Sequence, residues 1–142
     1  MLYLKDPLLK EQLNLWKIIQ VLIYRKNSLH GFHVHEYGDL SDGCNSACAH
    51  FNPYKTKHGC PGMKERHVGD LGNIQTDMFG NANYMFYDNI IKLSGYKTNI
   101  VGRMLIIHND MDDCGLGIGD KYAESIKTGN SGKRIACAFY CK

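Results

Sequence analysis

The chain has 142 residues, the size of one globular domain with a single hydrophobic core. A net charge of +3, dispersed along the chain, argues against nucleic-acid binding, and 44% hydrophobic with 22% charged residues is ordinary for a soluble protein. The densest apolar run, residues 18–23, is too short to span a bilayer, so no membrane segment is expected.

The first 28 residues contain neither histidine nor glycine and predict a helix followed by a strand. Asp6 and Pro7 form a typical helix start, an N-cap followed by proline, so residues 1–14 are expected to be helical. The β-branched pattern of residues 16–24 favours a strand. Charges interrupt the apolar N-terminus and no small-residue cleavage site follows, so we expect no secretory signal and a cytoplasmic location.

Residues 29–80 are rich in glycine, histidine, asparagine and aspartate. His33 and His35 alternate around a valine, so both imidazoles would point to the same face of a strand. Residues 38–67 show little periodicity and predict a long ordered loop, and the histidines and cysteines within it indicate a functional loop.

The last third of the chain predicts short strands around a second glycine-rich loop. Strand patterns occupy residues 83–87, 102–108 and 134–140, and the loop covers about residues 110–132. Many short strands with two large loops predict a mostly β fold, an antiparallel β-sandwich, in a single domain spanning residues 1–142.

The histidines and one aspartate are grouped as metal ligands would be. His33 and His35 offer two nitrogens on one strand face, and imidazole suits copper and zinc. His58, His67 and Asp70 add two nitrogens and a carboxylate within a short span, a ligand set that zinc prefers. An isolated histidine is usually solvated or satisfied in a core, but this grouping favours metal binding.

Two further histidines would join these groups into a two-metal centre. His50 lies between them in the sequence, and a deprotonated imidazole can serve two metals through its two ring nitrogens. His108 follows an apolar strand and would have to fold back to complete the first site. The pattern indicates one open, nitrogen-ligated site suited to redox chemistry and one closed site with a carboxylate.

Four segments resemble the copper/zinc superoxide dismutase family, and they follow one another in the family's order. They are GFHVHEYGD at 31–39, HFNP at 50–53, ERHVGDLG at 65–72 and GNSGKRIAC at 129–137. Residues 29–142 are therefore identified as a family-like region, preceded by a divergent segment, residues 1–28. The resemblance implies an immunoglobulin-like Greek-key β-sandwich or barrel with two long functional loops.

The resemblance also implies a role for individual residues. Copper would be bound by His33, His35, His50 and His108. Zinc would be bound by His50, His58, His67 and Asp70. Asp112 would accept hydrogen bonds from one histidine of each set and fix their orientation. Cys44 and Cys137 would form the family's intrasubunit disulfide, and free thiols are expected at Cys48, Cys60, Cys114 and Cys141.

The implied activity is disproportionation of superoxide to dioxygen and hydrogen peroxide by copper redox cycling. His50 would take up and return a proton, and Arg134 would hold the small anion beside the copper. Lys127 and Thr128 would belong to the loop that guides the anion. The implied partners are superoxide, a second copy of the chain that contacts the region around Tyr37, and a copper chaperone.

The front of the chain departs from the family and keeps other functions open. The family carries a pair of strands ahead of the third strand, but only about 28 residues precede the first matching segment here, so missing strands would leave exposed sheet edges. The shortened C-terminus, with Tyr140 in place of the family's β-branched aliphatic residue, would weaken the dimer. The alternative is a weak or inactive homologue that binds metal, handles copper or acts as a decoy. A purely structural zinc protein is disfavoured, because it would leave His33, His35 and Arg134 without a purpose.

Overall fold

The computed structural model describes residues 3–5, 15–23 and 25–140. The strands, in chain order, are β1 (Tyr3–Lys5), β2 (Leu15–Leu22), β3 (Leu29–His35), β4 (Asp70–Gln75), β5 (Asn81–Asp88), β6 (Met104–His108) and β7 (Arg134–Phe139). The described residues contain one α-helix, α1 (Tyr122–Thr128). Short 3-10 turns occur at Asn45–Ala47 and Gly119–Lys121.

The strands form two antiparallel sheets, ordered β1-β2-β5 and β4-β3-β6-β7. The ladder between β2 and β5 extends from Leu15 opposite Asp88 to Leu22 opposite Asn81. In the second sheet, β3 lies between β4 and β6, and β7 pairs with the other edge of β6. The mostly β fold predicted from the sequence is confirmed.

The main core combines side chains from both sheets. Phe32 of β3 is fully buried and meets Tyr84 and Phe86 of β5 edge-to-face, with ring centroids 6.1 and 6.2 Å apart. Strand β6 is buried along its whole length, which explains its continuous apolar sequence, MLIIH. His108 is the last residue of this buried strand, so the packing of the core fixes the position of its backbone.

The N-terminal prediction is wrong where the structure tests it. Residues 3–5 are a strand, not part of a helix, and they pair antiparallel with residues 18–20 of β2. The edge of β2 offers unpaired backbone groups, and pairing with them overrides the local preference of the sequence. The predicted helix start at Asp6 and Pro7 lies outside the described residues. The strand predicted at 16–24 is confirmed as β2, within the bounds Leu15–Leu22.

The second predicted loop contains a helix that the sequence analysis missed. Helix α1 has seven residues and ends at Gly129, which adopts the left-handed conformation (φ 68°) and donates its N–H to the Ser125 carbonyl. Only Ser125 of this helix is buried. A helix this short, with almost no buried face, leaves no apolar periodicity that a sequence pattern could reveal.

Two disulfides cross-link the described residues. The predicted bond between Cys44 and Cys137 is present and joins residues 93 positions apart. The expectation of free thiols at Cys60 and Cys114 is wrong, because the fold brings their Cα atoms to 4.9 Å and the two form a second disulfide. Cys48 is an exposed free thiol, as predicted. Cys141 lies outside the described residues.

Replacing Cys44 by serine is expected to destabilise the oxidised protein. Cys44 and Cys137 close a loop of 93 positions and pack against the buried side chains of Met104 and Ile106. In the chain-entropy treatment, such a loop contributes about 4 to 5 kcal/mol. We expect the melting temperature to fall by roughly 10 °C or more, measured by calorimetry beside a Cys48→Ser control. An unchanged melting temperature would mean that this bond does not form in solution.

Candidate metal centre

The fold brings six histidines and two aspartates from distant parts of the chain into one buried cluster. Strand β3 carries His33 and His35, which lie opposite Ile106 and Met104 of β6. The imidazole of His108, at the end of β6, comes within 3.4 Å of that of His35. In the first long loop, His50 pairs with His35 of β3 in an isolated antiparallel β-bridge. The cluster thus brings together residues that are up to 79 positions apart in the sequence, as His33 and Asp112 are.

The predicted copper ligands converge as the sequence analysis expected. One ring nitrogen of each lies within 4.8 Å of the others, and the four are His33, His35, His50 and His108. The Nε2 atoms of His35 and His108 are 3.4 Å apart. Hydrogen bonds occupy the opposite nitrogens, since His35 Nδ1 lies 2.8 Å from the Cys48 carbonyl and His108 Nδ1 lies 3.0 Å from the Gly132 carbonyl. These backbone contacts direct both Nε2 atoms into the cluster.

The predicted zinc ligands surround one carboxylate oxygen. Asp70 Oδ1 lies 2.9, 3.0 and 3.1 Å from the Nδ1 atoms of His50, His58 and His67. The ligand atoms of a tetrahedral zinc ion are about 3.3 Å apart, given bonds of about 2.0 Å. The second carboxylate oxygen, Oδ2, accepts the backbone N–H groups of Gly59 and His67 and is therefore held in place.

Asp112 connects the two groups of ligands. Its carboxylate lies 2.8 Å from His33 Nε2 through one oxygen and 2.8 Å from His58 Nε2 through the other. It also accepts the backbone N–H of Cys114 at 2.7 Å. Such a partner fixes the orientation of a metal-binding imidazole, and here one carboxylate does so for a histidine of each set.

Unpartnered buried nitrogens show that the cluster fits metal ions. His33 Nδ1, His50 Nε2 and His58 Nδ1 are buried and make no hydrogen bond to the described residues. His58 Nδ1 lies close to Asp70 Oδ1 but is not oriented for a hydrogen bond with it. A buried polar atom without a partner costs about 1 to 3 kcal/mol, and a metal ion would remove that cost.

The charge states of the cluster suit metal binding. Burial lowers the pKa of His108 to about 4 and lowers the pKa values of His33, His35 and His50, so these imidazoles are neutral at pH 7. Burial opposes ionisation of Asp70, but contacts with three histidines outweigh it and hold the pKa of this carboxyl far below its usual range. Neutral imidazoles and an ionised carboxylate are the forms that bind metals.

Zinc binding to the metal-free protein is expected to release about one proton at pH 7. Burial opposes the charged form of His58, but its contacts with Asp112 and Asp70 raise its pKa to about 9. The metal must displace that proton, so the apparent affinity for zinc should rise about tenfold per pH unit up to about pH 9. Calorimetry in buffers of different ionisation enthalpy measures the released proton. An affinity that is constant between pH 6 and pH 9 would show that His58 is already neutral.

A cavity of about 600 Å³ opens onto the predicted copper ligands. Its lining includes His35, His50 and His108 together with two cationic side chains, Lys127 and Arg134. Arg134 donates to the carbonyls of Cys44 (2.7 Å) and Asn45 (2.9 Å) and also to the Cys48 carbonyl.

Thr128 also lines this cavity, next to Lys127 in the sequence. Its Oγ1 donates to Glu124 Oε1 at 2.7 Å. Glu124 brings a negative charge to the lining that the sequence analysis did not consider. Lys127, Thr128 and Arg134 all line the cavity that opens onto the cluster.

The sequence analysis missed several residues that shape the cluster. Cys48 has a positive φ of 63°, unusual for a residue with a side chain, and its carbonyl thereby serves both His35 and Arg134. Asn73 holds the Asp112 backbone through two hydrogen bonds of 2.8 Å. A Cβ at Gly129 would lie 2.0 Å from Asp112 Oδ1, so only glycine fits there. No local pattern reveals these roles, because each depends on contacts between distant segments.

His30 is the one histidine outside both predicted ligand sets. It is fully buried, and its Nδ1 lies 2.8 Å from the backbone carbonyl of His108. This contact anchors the end of β6. His30 is therefore a core histidine that is hydrogen-bonded at Nδ1, while its buried Nε2 has no partner among the described residues.

Comparison with known proteins identifies relatives for most of the chain. The family profile described as copper/zinc superoxide dismutase matches residues 16–140. The Cu-Zn superoxide dismutase of Paramecium bursaria Chlorella virus 1 is 64% identical over 114 residues, which are 80% of this chain and 59% of the relative. That of Saccharomyces cerevisiae is 53% identical over 111 residues, 78% of this chain and 70% of the relative.

The chain is also similar to a protein named as extracellular and to a solved structure. The extracellular Cu-Zn superoxide dismutase of Brugia pahangi is 54% identical over 109 residues, 77% of this chain and 54% of the relative. The crystal structure of the clock protein EA4 superposes with a TM-score of 0.82 at 40% identity, covering 89% of this chain and 77% of that one. The matched region spans little more than half the length of the viral and the Brugia relatives.

Proposed function

Because this chain belongs to the copper/zinc superoxide dismutase family, we propose that it converts superoxide to dioxygen and hydrogen peroxide at the buried histidine cluster. The observation that carries the proposal is the position of His50. Its Nδ1 lies 2.9 Å from Asp70 Oδ1, and its Nε2 is buried, unpartnered and grouped with three other histidines. One imidazole thus offers a nitrogen to each of two metal sites, one suited to redox chemistry and one closed by a carboxylate.

The proposed ligand atoms follow from the nitrogens that point into the cluster. Copper would be held by His33 Nδ1, His35 Nε2, His50 Nε2 and His108 Nε2. Zinc would be held by His50 Nδ1, His58 Nδ1, His67 Nδ1 and Asp70 Oδ1. When bound, copper supplies the one-electron oxidation and reduction of superoxide, and zinc supplies a fixed charge that holds the loop.

Arg134 is the proposed anion-binding residue. Three backbone carbonyls fix its guanidinium at the wall of the cavity, so its position is set before substrate arrives. Burial lowers its pKa, but an arginine stays charged in proteins. Those carbonyls take three of the five N–H donors of a guanidinium, which leaves two to hold a small anion beside the cluster.

Lys127 and Thr128 are proposed to guide the anion. Lys127 adds positive charge to the cavity, and a positive funnel raises the rate of encounter with a small anion. Thr128 acts through Glu124, because its hydroxyl holds that carboxylate rather than facing an anion. The proposed role of Thr128 is therefore to hold the carboxylate of Glu124, the negatively charged residue of helix α1, in a fixed position.

His50 is proposed to supply one of the two protons that the formation of hydrogen peroxide from superoxide requires, the other coming from solvent. Its Nε2 is buried at the junction of the two ligand sets and has no other described partner. Burial lowers its pKa, so a proton taken up at Nε2 is given up readily to the reduced product. The same atom can thus accept a proton and return it within one cycle.

The decisive test measures superoxide decay by stopped flow and metal content on the same sample. Protein loaded with copper and zinc should consume superoxide at a rate that falls with ionic strength, as expected for an attracted anion. Zinc-only protein is the matched control and should be inactive. Full loading with both metals but negligible activity would reject the enzyme and leave the copper-handling or decoy function.

A homodimer and a copper chaperone are the proposed protein partners. Tyr37 is exposed, and Phe139 packs beside the next residue, since a Cβ at Gly38 would lie 2.9 Å from the Phe139 ring. This gives the predicted contact region an apolar surface suited to a second copy. Light scattering should give twice the monomer mass; a monomer at micromolar concentration would reject the dimer.

Loading to full copper content from a free copper salt would argue against a need for the chaperone.

The proposed compartment is the cytoplasm, as the sequence analysis expected. Among the described residues, no helix is long and apolar enough to cross a bilayer. Two disulfides are more usual in an oxidising compartment, and the Brugia relative is named as extracellular, so an extracellular location is the alternative that the test must exclude. Fractionation of the source cells would decide, and recovery of the protein only from the medium or a secretory fraction would reject the cytoplasm.

A further inference from the structure

The second disulfide joins the two loops that carry the zinc ligands and their supporting carboxylate. Cys60 lies two residues after His58 in the first long loop, and Cys114 lies two residues after Asp112 in the second. The bond spans 54 positions of sequence. The sequence analysis expected free thiols at both positions. Neither the pattern of metal ligands nor the proposed function explains this bond.

The bond completes a closed circuit of covalent and hydrogen bonds that includes the imidazole of His58. His58 Nδ1 faces Asp70 Oδ1 at 3.0 Å, and His58 Nε2 contacts Asp112 Oδ1 at 2.8 Å. From Asp112 the chain continues to Cys114, and the disulfide returns to Cys60 and so to His58 itself. The imidazole is thus one side of a closed circuit made of two short peptide segments, one disulfide and one hydrogen bond.

The peptide groups beside both cysteines hold the two carboxylates. The N–H of Gly59, which precedes Cys60, donates to Asp70 Oδ2 at 3.1 Å. The N–H of Cys114 donates to Asp112 Oδ1 at 2.7 Å. Movement of either cysteine would therefore pull on a carboxylate that orients a metal-binding histidine.

The two loops approach each other closely at this point. A Cβ at Gly115 would lie 2.6 Å from the His58 carbonyl. The His58 N–H also donates to the carbonyl of Ile126, at 2.9 Å, in helix α1. Without the disulfide, the described hydrogen bonds that hold His58 against the second loop would be this one and its contact with Asp112 Oδ1.

We propose that the Cys60–Cys114 disulfide is a positioning element that keeps the zinc ligands and Asp112 assembled when no metal is bound. The inference rests on the proposed zinc assignment. A covalent link reduces the number of arrangements open to the two loops in the metal-free protein, so less conformational freedom is lost when zinc binds. The bond supports the copper ligands as well, since Asp112 also orients His33.

The test uses Zn²⁺, and Co²⁺ as a coloured probe of the same site. Cys60→Ser, Cys114→Ser and the double variant are compared with the oxidised wild-type protein, with Ser94→Ala, at an exposed position outside the cluster and its cavity, as the control. Each of the three should weaken zinc binding by about tenfold or more and broaden the visible spectrum of bound Co²⁺. The double variant should match the single variants, because each removes the same bond.

A measurement on the wild-type protein keeps the inference testable if the variants fail to fold. Hydrogen exchange of the amides of residues 58–60 and 112–114 should be nearly as slow in metal-free as in zinc-loaded protein. Fast exchange of both segments on metal removal would overturn the inference. Equal zinc affinity in wild-type and variant proteins would overturn it too and leave the proposed function intact, whereas a wild-type protein that binds neither Zn²⁺ nor Co²⁺ would overturn both.

Discussion

Replacing His50 by alanine is expected to abolish superoxide consumption and to weaken both metal sites together. His50 is the residue whose two ring nitrogens face the two ligand sets, with Nδ1 2.9 Å from Asp70 Oδ1 and Nε2 among the copper ligands. Removing the imidazole takes one ligand from each site. Loss of a residue that only orients a ligand costs about 10- to 100-fold in metal affinity, so loss of a ligand should cost at least that much at each site.

His67→Ala is the matched control for this prediction. His67 Nδ1 lies 3.1 Å from Asp70 Oδ1, and His67 is not one of the four clustered copper ligands. This variant should therefore lose zinc affinity while copper affinity changes little. Equilibrium dialysis with both metals, followed by elemental analysis, distinguishes the two patterns. If His50→Ala lost copper but retained zinc at wild-type affinity, the shared imidazole would be refuted.

Replacing Arg134 by alanine is expected to slow superoxide consumption by about tenfold or more while copper stays bound. Arg134 lines the cavity that opens onto the copper ligands, but it is not a ligand itself. A cleft lined by one sign of charge raises the encounter rate with an anion by about 10- to 1,000-fold, and Arg134 is one of the two cations that line this cavity. The variant should also bind small inhibitory anions more weakly and depend less on ionic strength.

Arg134→Lys separates the charge from the shape of the guanidinium. Lysine keeps the charge but cannot reproduce the planar set of donors that reaches the carbonyls of Cys44, Asn45 and Cys48. We expect this variant to retain part of the encounter rate but to bind anions less tightly than wild type. Stopped-flow rates at several salt concentrations measure the difference. Kinetics equal to wild type in the alanine variant would remove Arg134 from the mechanism.

Most strands could be predicted because their residues alternate or form short buried runs. In β5, Tyr84 and Phe86 pack against the core while Met85 and Tyr87 are exposed, and β6 is a continuous apolar run. The start of the chain could not be predicted in the same way. Residues 3–5 are a strand because β2 offers them a pairing edge, and this partner is invisible in their own sequence.

The convergence of the proposed ligands was predicted because the histidine spacing and the family segments indicated the same residues. His33, His35 and His50 lie within or beside those segments, and the structure places them within ligand distance of one another. The Cys60–Cys114 bond could not be predicted, because spacing along the chain does not determine which cysteines meet. The left-handed backbone of Cys48 was missed for a related reason, since distant contacts with its carbonyl hold it.

The position of the metals tests the central claim most directly. Crystals of the protein loaded with copper and zinc should be measured at the absorption edges of both elements. The account predicts one copper among His33, His35 and His108, one zinc among His58, His67 and Asp70, and the His50 imidazole between them. A single metal, or two metals that do not share His50, would contradict the account.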